Sequence, residues 1–245
     1  MHLTRNEKVA CSSQVTSSKK ELSHKDGSFF HCGDIDCSDV EVAIVKIFFA
    51  RHGKDDDRYR GGWSNHDLIP EGIAQAKKLA KHLKENKDNY NITQIISSDL
   101  PRTLTTAYLI SAELGLAIQR ETQLRETNNG DMAGMLNTTA LEQYPGIFFS
   151  SLKMDEPYPN GESPNDFYFR VKEWLSGFCS KCSNIDGNVL VVTHSGVINV
   201  IYHLVNNIKW TNKGRVYEVS NCSLHILDTI TMKFEVENRT DFLTT

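Results

Sequence analysis

From about residue 40 onward the chain alternates short, wholly apolar runs with longer amphipathic ones. Residues 42–50 form a continuous apolar, β-branched run broken only by Lys46, which reads as a parallel strand buried on both faces. Pro70 opens a helix at its first turn, with Ile73, Ala76, Leu79, Ala80 and Leu83 on the apolar face. Residues 94–97 form a second short strand. Ser98 or Asp99 is placed to cap the helix that Pro101 begins. Leu104, Ala107, Tyr108 and Leu114 follow at helical spacing, and Gly115 suits the helix end. Residues 120–162 are rich in Gly and Pro and read as loops. Ser163 and Pro164 then start a helix with Asp166 in the capping-box position, and Phe167, Val171, Trp174, Leu175 and Phe178 form its apolar face. Residues 188–193 are another buried strand, followed by a helix through Val197, Val200, Ile201 and Leu204. Two or three shorter strands are expected near Val216, Leu224 and Phe234. Strands alternating with helices predict a three-layer α/β/α domain over residues 41–245, built on a mostly parallel sheet.

Residues 1–40 have no such period. Ser, Lys, Asp and Cys are scattered, and only Phe29 and Phe30 are strongly apolar, so this stretch is expected to be a flexible extension without a catalytic role. In the whole chain of 245 residues, 39% are hydrophobic and 24% charged, the balance of an ordinary globular protein. The formal net charge of -4 gives no reason to expect nucleic acid or an anionic membrane as partner. An anionic small molecule would need a local cluster of basic groups. No apolar run approaches the roughly 20 residues that span a bilayer, and the N-terminus lacks a continuous apolar stretch of the signal-peptide kind. The expected compartment is the cytosol. There the six cysteines (Cys11, Cys32, Cys37, Cys179, Cys182 and Cys222) are expected to be reduced. Cys179 and Cys182 have CxxC spacing, but they close an amphipathic helix, which favours core packing over a metal site with His31, Cys32 and Cys37.

Two places share one local design. A buried strand ends, and a tight segment with His and Gly follows: Arg51-His52-Gly53 in one case, Thr193-His194-Ser195-Gly196 in the other. In an open parallel sheet, ligands bind outside the carboxyl ends of the strands, so both histidines should face one edge. A third strand end places Arg102 in the first turn of a helix on the same edge, where helix N-terminus and guanidinium both favour an anion. Arg51 and Arg102 match phosphate oxygens in fork geometry.

These segments resemble the histidine phosphatase superfamily, which includes the cofactor-dependent phosphoglycerate mutases. Arg51-His52-Gly53 with Gly61-Gly62-Trp63-Ser64 is similar to its opening signature, and residues 97–107 to its second. Leu124-Arg125-Glu126 with Gly130, Asp131 and Gly134 is similar to its acid-bearing loop. Pro159-Asn160-Gly161-Glu162-Ser163 and residues 191–198 complete the series, in order, from about residue 44 to about residue 228. The resemblance implies a phosphoglycerate mutase-like fold. It also implies His52 as nucleophile, Arg51 and Arg102 on the phosphoryl oxygens, a protonated His194 stabilising charge, and Glu126 as proton donor. Ser195 and Trp63 are expected to contact substrate. No cofactor or metal is implied, since two arginines and a second histidine can stabilise the transferring group.

One stretch departs from the family. Lys54-Asp55-Asp56-Asp57-Arg58 stands where a small polar residue and then a phosphate-contacting Asn are usual, and direct counting puts Arg58 at the Asn position. Arg58 either replaces that donor or leaves a contact missing. The three aspartates, repulsive beside an anion, are expected to point to water. The leading expectation is a phosphatase acting on a small-molecule phosphate ester. The alternatives are a phosphoglycerate mutase, or a non-catalytic phosphate-ligand-binding protein. The stretch after Glu126, Thr127-Asn128-Asn129-Gly130, lacks the aromatic and basic residues that hold glycerate in mutases. Gly161-Glu162-Ser163 looks like a lid, with Phe148, Phe149 and Tyr158 as aromatic surface nearby.

Overall fold

The computed structural model describes residues 45–214 and 216–244. The expected N-terminal extension, with Cys11, His31, Cys32 and Cys37, lies outside the described residues.

A six-stranded sheet carries the domain. Its strands are β1 (Lys46–Arg51), β2 (Ile92–Ser97), β3 (Ile118–Arg120), β4 (Asn188–Thr193), β5 (Leu224–Asp228) and β6 (Lys233–Arg239), in the spatial order β3-β2-β4-β1-β5-β6. The pairs β3–β2, β2–β4 and β4–β1 are parallel, whereas β1–β5 and β5–β6 are antiparallel. The sheet is therefore mostly parallel, with an antiparallel edge. Successive side chains of a strand face opposite sides, and β1 shows why its apolar run is unbroken. Ile47 and Phe49 enter one core with Val189 and Val191, under α5 (Pro164–Cys179) and α6 (Ser195–Val205). Phe48 and Ala50 enter the other with Leu190 and Val192, under α1 (Pro70–Glu85) and α3 (Pro101–Leu114). Each of the larger of these side chains, Ala50 apart, contributes roughly 1.5–3 kcal/mol. Two short helices, α2 (Lys87–Tyr90) and α4 (Asn137–Gln143), complete the set.

Pro70, Pro101 and Pro164 open their helices as expected, and Ser163 and Asp166 form a reciprocal capping box. The expected cap of α3 is not made. Leu100 is the cap residue, without a side-chain hydrogen bond, because Ser98 and Asp99 have other partners. The stretch 120–162 holds more structure than its Gly and Pro content suggests: α4 and two single-turn 3₁₀ segments, at Thr122–Leu124 and Gly130–Met132. Strand β3, three residues long, had no sequence signal, and no strand forms at Val216. Cys182 is buried in the core beneath α5, and burial pushes its thiol up to about 11. Among the described residues, no group of three His, Cys, Asp or Glu side chains could hold a metal ion, and no helix is long and apolar enough to cross a membrane.

Candidate active site

Three parallel strands end in register. Arg51 of β1 lies opposite Thr193 of β4, and Ser97 of β2 lies opposite Val192. The next backbone amides keep the alignment: His52 donates to Thr193 O at 3.0 Å, and Ser98 donates to Val192 O at 3.0 Å. His52, His194 and Ser98 therefore emerge side by side. The two imidazoles meet edge-on with ring centroids 5.1 Å apart, and His194 Nε2 lies 3.0 Å from Ser98 Oγ.

His52 is fixed by its neighbour. Its Nδ1 lies 2.7 Å from Gly53 O. A carbonyl only accepts, so Nδ1 carries the proton and Nε2 keeps its lone pair. Burial pulls His52 well below the usual imidazole range, and the Arg102 and Arg51 charges pull it further. Gly53 has a steric role: a Cβ there would strike the Gly72 carbonyl, and one on Gly72 would strike Lys54. The pair of glycines lets α1 press against the loop that follows His52.

Arg102 is 1% exposed, although it sits in the first turn of a helix. Its guanidinium donates to Gly62 O at 2.7 Å and to Ser64 O and Oγ at 3.3 Å each. Its Nε is buried without a hydrogen-bond partner among the described residues, with Asp55 Oδ2 3.6 Å away. Arg51 donates to Val219 O at 2.8 Å. Glu126 is held by two backbone amides, Thr127 N–H to Oε1 at 3.1 Å and Gly196 N–H to Oε2 at 3.0 Å.

Arg51, His52, Arg102, Glu126 and Ser195 line one cavity of about 560 Å³. His194 is fully buried beside His52 and is not in that wall. Burial, then the charges of Arg102 and His52, hold its pKa well below the usual range. The imidazolium expected at this position is thus a neutral imidazole in the free protein. Its Nδ1 has no hydrogen-bond partner among the described residues.

Three further expectations can be set beside the structure. Arg58 does not line the cavity; its exposed guanidinium forks onto Asp56, with bonds of 2.9, 3.1 and 2.5 Å. A carboxylate two residues away offers charge and fork geometry at little entropic cost, so Arg58 stays on the surface. The aspartates do not simply face water. Asp55, Asp56 and Asp57 are part of the cavity wall, with Asp55 facing Arg102 and Asp56 held by Arg58. Trp63 is also outside the wall. Its indole N–H donates to Glu126 O at 2.8 Å, and its ring lies 4.6 Å from the Arg125 guanidinium.

The segment Gly161-Glu162-Ser163 is not a lid. Glu162 Oε2 accepts from Asn128 N–H at 2.9 Å and the Glu162 carboxylate pairs with Arg170, so this segment backs the loop that carries Glu126. Arg170 completes that scaffold by donating to Gln123 O, Arg125 O and Glu126 O at 2.7, 3.0 and 3.2 Å. Phe149 and Tyr158 line the cavity, whereas Phe148 lies under the Arg60 guanidinium. Sequence reasoning missed Arg170, Asn199 and His203. On a helix each looks like a solvated or core residue, and only the tertiary fold turns them toward the site or its loop.

The sequence pattern of the histidine phosphatase superfamily (branch 1) matches residues 47–241. Phosphoglycerate mutase-like protein 4 of Arabidopsis thaliana is 34% identical over 175 residues, covering 68% of this chain and 73% of that protein. Phosphoserine phosphatase 1 of Hydrogenobacter thermophilus is 31% identical over 167 residues, covering 65% and 75%. Among solved structures, a mycobacterial glucosyl-3-phosphoglycerate phosphatase in complex with VO3 superposes with a TM-score of 0.64 at 23% identity, covering 79% of this chain and 98% of that one. The alpha-ribazole phosphatase of Shigella flexneri does so with a TM-score of 0.67 at 22% identity, covering 80% and 97%. At that level of identity the two structures establish a shared fold.

Proposed function

The chain belongs to the histidine phosphatase superfamily, and from that premise we propose that it hydrolyses phosphate monoesters through a phosphohistidine on His52, without a metal ion. The observation that carries this reading is the Nδ1–H contact of His52 with Gly53 O, which leaves Nε2 as a free lone pair beside two guanidinium groups. Nε2 attacks phosphorus in line as the bond to the ester oxygen breaks. Arg51 and Arg102 bind the phosphoryl oxygens, and the buried Nε of Arg102 gains the hydrogen bond it lacks among the described residues. His194 adds a hydrogen bond from beside His52; an arriving dianion favours its protonated form.

Glu126 gives a proton to the departing alkoxide. It then takes one from the water that attacks the phosphohistidine, so inorganic phosphate leaves and His52 is restored. The names of the relatives divide between phosphatase and mutase. The cavity favours hydrolysis. Beyond Arg51 and Arg102, Arg60 is the only Arg or Lys among the described residues of the wall, which also carries Asp55, Asp56, Asp57 and Glu126. That is a poor seat for a substrate that carries a carboxylate or a second phosphate.

The test is phosphate release from an aryl phosphate in EDTA, from about pH 5 to pH 8, with His52→Ala in parallel. Activity that survives chelation and disappears in the variant is expected. Activity that requires added metal, or that persists in His52→Ala, sinks the mechanism. Turnover of 3-phosphoglycerate primed by its bisphosphate would instead favour the mutase.

A further inference from the structure

The cavity does not end at the phosphate. Ser195, Asn199 and His203 all line it, at positions i, i+4 and i+8 of α6. Residues so spaced share one helix face, and eight residues at 1.5 Å each carry that face about 12 Å. One wall therefore runs from the helix N-terminus beside Glu126 to a second, chemically different end. There Phe149, Phe167, Trp210 and His203 meet as rings. Phe149 lies 6.2 Å from Phe167 and 6.4 Å from Trp210, and His203 stands edge-on to Trp210 at 5.2 Å. Ser150, Thr211, Asn212 and Gly214 also line the cavity, and none of these side chains carries a fixed charge; the nearby Lys213 ammonium is engaged by Ser150 O at 2.8 Å and Leu152 O at 3.1 Å.

Two buried polar atoms at that end have no hydrogen-bond partner among the described residues, Asn212 Oδ1 and His203 Nδ1. The orientation of the Asn212 amide is set, because Nδ2 donates to Phe149 O at 2.6 Å and to Leu152 O at 2.9 Å. Its oxygen is thus an acceptor left without a donor. A buried acceptor of this kind is costly unless something satisfies it.

We propose that this far end is the subsite for the alcohol portion of the substrate, and that it takes an uncharged ring system bearing an N–H or O–H donor, held well away from the phosphorus. The inference rests on the near end being the phosphoryl site. Apolar rings supply a flat surface for the ligand ring, and the orphaned Asn212 Oδ1 selects a ring with a donor over a bare hydrocarbon. Short phosphate esters would fill only the near half of the cavity.

Two non-hydrolysable ligands test it, n-butylphosphonate and 4-(4-hydroxyphenyl)butylphosphonate, titrated calorimetrically into the full chain. Both present the same phosphonate, so the ratio of their Kd values reports the far end alone. The ring-bearing ligand is expected to bind at least roughly tenfold more tightly. In Thr211→Trp, which fills the far end at the cost of the Lys213 N–H bond to Thr211 Oγ1 at 3.2 Å, the preference should shrink to within about twofold. Equal affinities in the unmodified protein, no binding of either ligand, or a preference undiminished in Thr211→Trp would overturn the proposal. Turnover is not needed. A protein that shows the preference yet hydrolyses nothing would retain this subsite and lose the phosphatase reading.

Discussion

The backbone N–H of Gly196 donates to Glu126 Oε2 at 3.0 Å, and a side chain at 196 would collide with that same carboxylate. The glycine two residues after His194 is thus explained by the acid on a different loop. Its φ is unexceptional; what matters is that the first turn of α6 can approach Glu126 closely. Gly196→Ala should leave the fold intact and displace the carboxylate. We expect phosphate release to fall about 100-fold, in the range of a lost general acid, with Tm within a few degrees of the parent. Kinetics with a parallel thermal melt check it. Full activity in Gly196→Ala would remove Glu126 from the proposed role.

Arg170 holds the same loop from beneath. It spans three loop carbonyls and the Glu162 carboxylate, with side-chain exposures of 16% and 15% for the ion pair. Arg170→Ala removes the donor from Gln123 O and Arg125 O and the counter-charge from the shielded Glu162 carboxylate, at a cost of about 3 kcal/mol, although Glu126 O keeps the Trp63 N–H and Glu162 Oε2 keeps the Asn128 N–H. Arg170→Lys restores the charge without the fork, so it should recover only part of the loss. Urea unfolding measures the stability, and kcat measured in the folded range should fall in both variants because Glu126 loses its support.

Stability should also depend on pH in a defined window. Burial pulls His225 down to about 4, and holds His52 and His194 well below 6.5. The unfolded chain therefore binds more protons than the folded one below 6.5, and stability falls as pH drops through that value. His225 alone accounts for about 3 kcal/mol between its unfolded and folded pKa values. Asp56 and Asp99, whose carboxyls are held down by Arg58 and Arg125, act at lower pH. Urea midpoints compared between about pH 7.5 and pH 5 thus isolate the histidines. A flat profile would contradict their burial as neutral groups. The same depression keeps His52 unprotonated in mildly acid solution, so the acid limb of kcat/KM should lie below the ordinary imidazole range.

What the sequence made legible follows from how local each cause is. The apolar run before Arg51 and the run before His194 announce their strands and, through the strand ends, the two histidines. Pro70, Pro101 and Pro164 announce their helices. Counting along the motif leaves Arg58 either a replacement donor or a missing contact, because counting is one-dimensional, while Asp56 captures the guanidinium in space. The cap expected of Ser98 or Asp99 failed for a similar reason: His194 and Arg125, far away in sequence, engage those side chains. The roles of Arg170, Asn199 and His203 were invisible, since they arise only where α5, α6 and the loops around 149 and 210 converge, although Phe149 was legible as aromatic surface near the site.

The phosphoryl group on His52 is the centre of the account, and it can be trapped. The protein would be mixed with a phosphorus-labelled aryl phosphate, quenched rapidly in alkali, which preserves phosphohistidine, and digested for peptide mapping. The account predicts label on the peptide containing His52, lost on brief acid treatment and absent from His52→Asn. Steady turnover with no label on that peptide, or label on another residue that persists in His52→Asn, would contradict it.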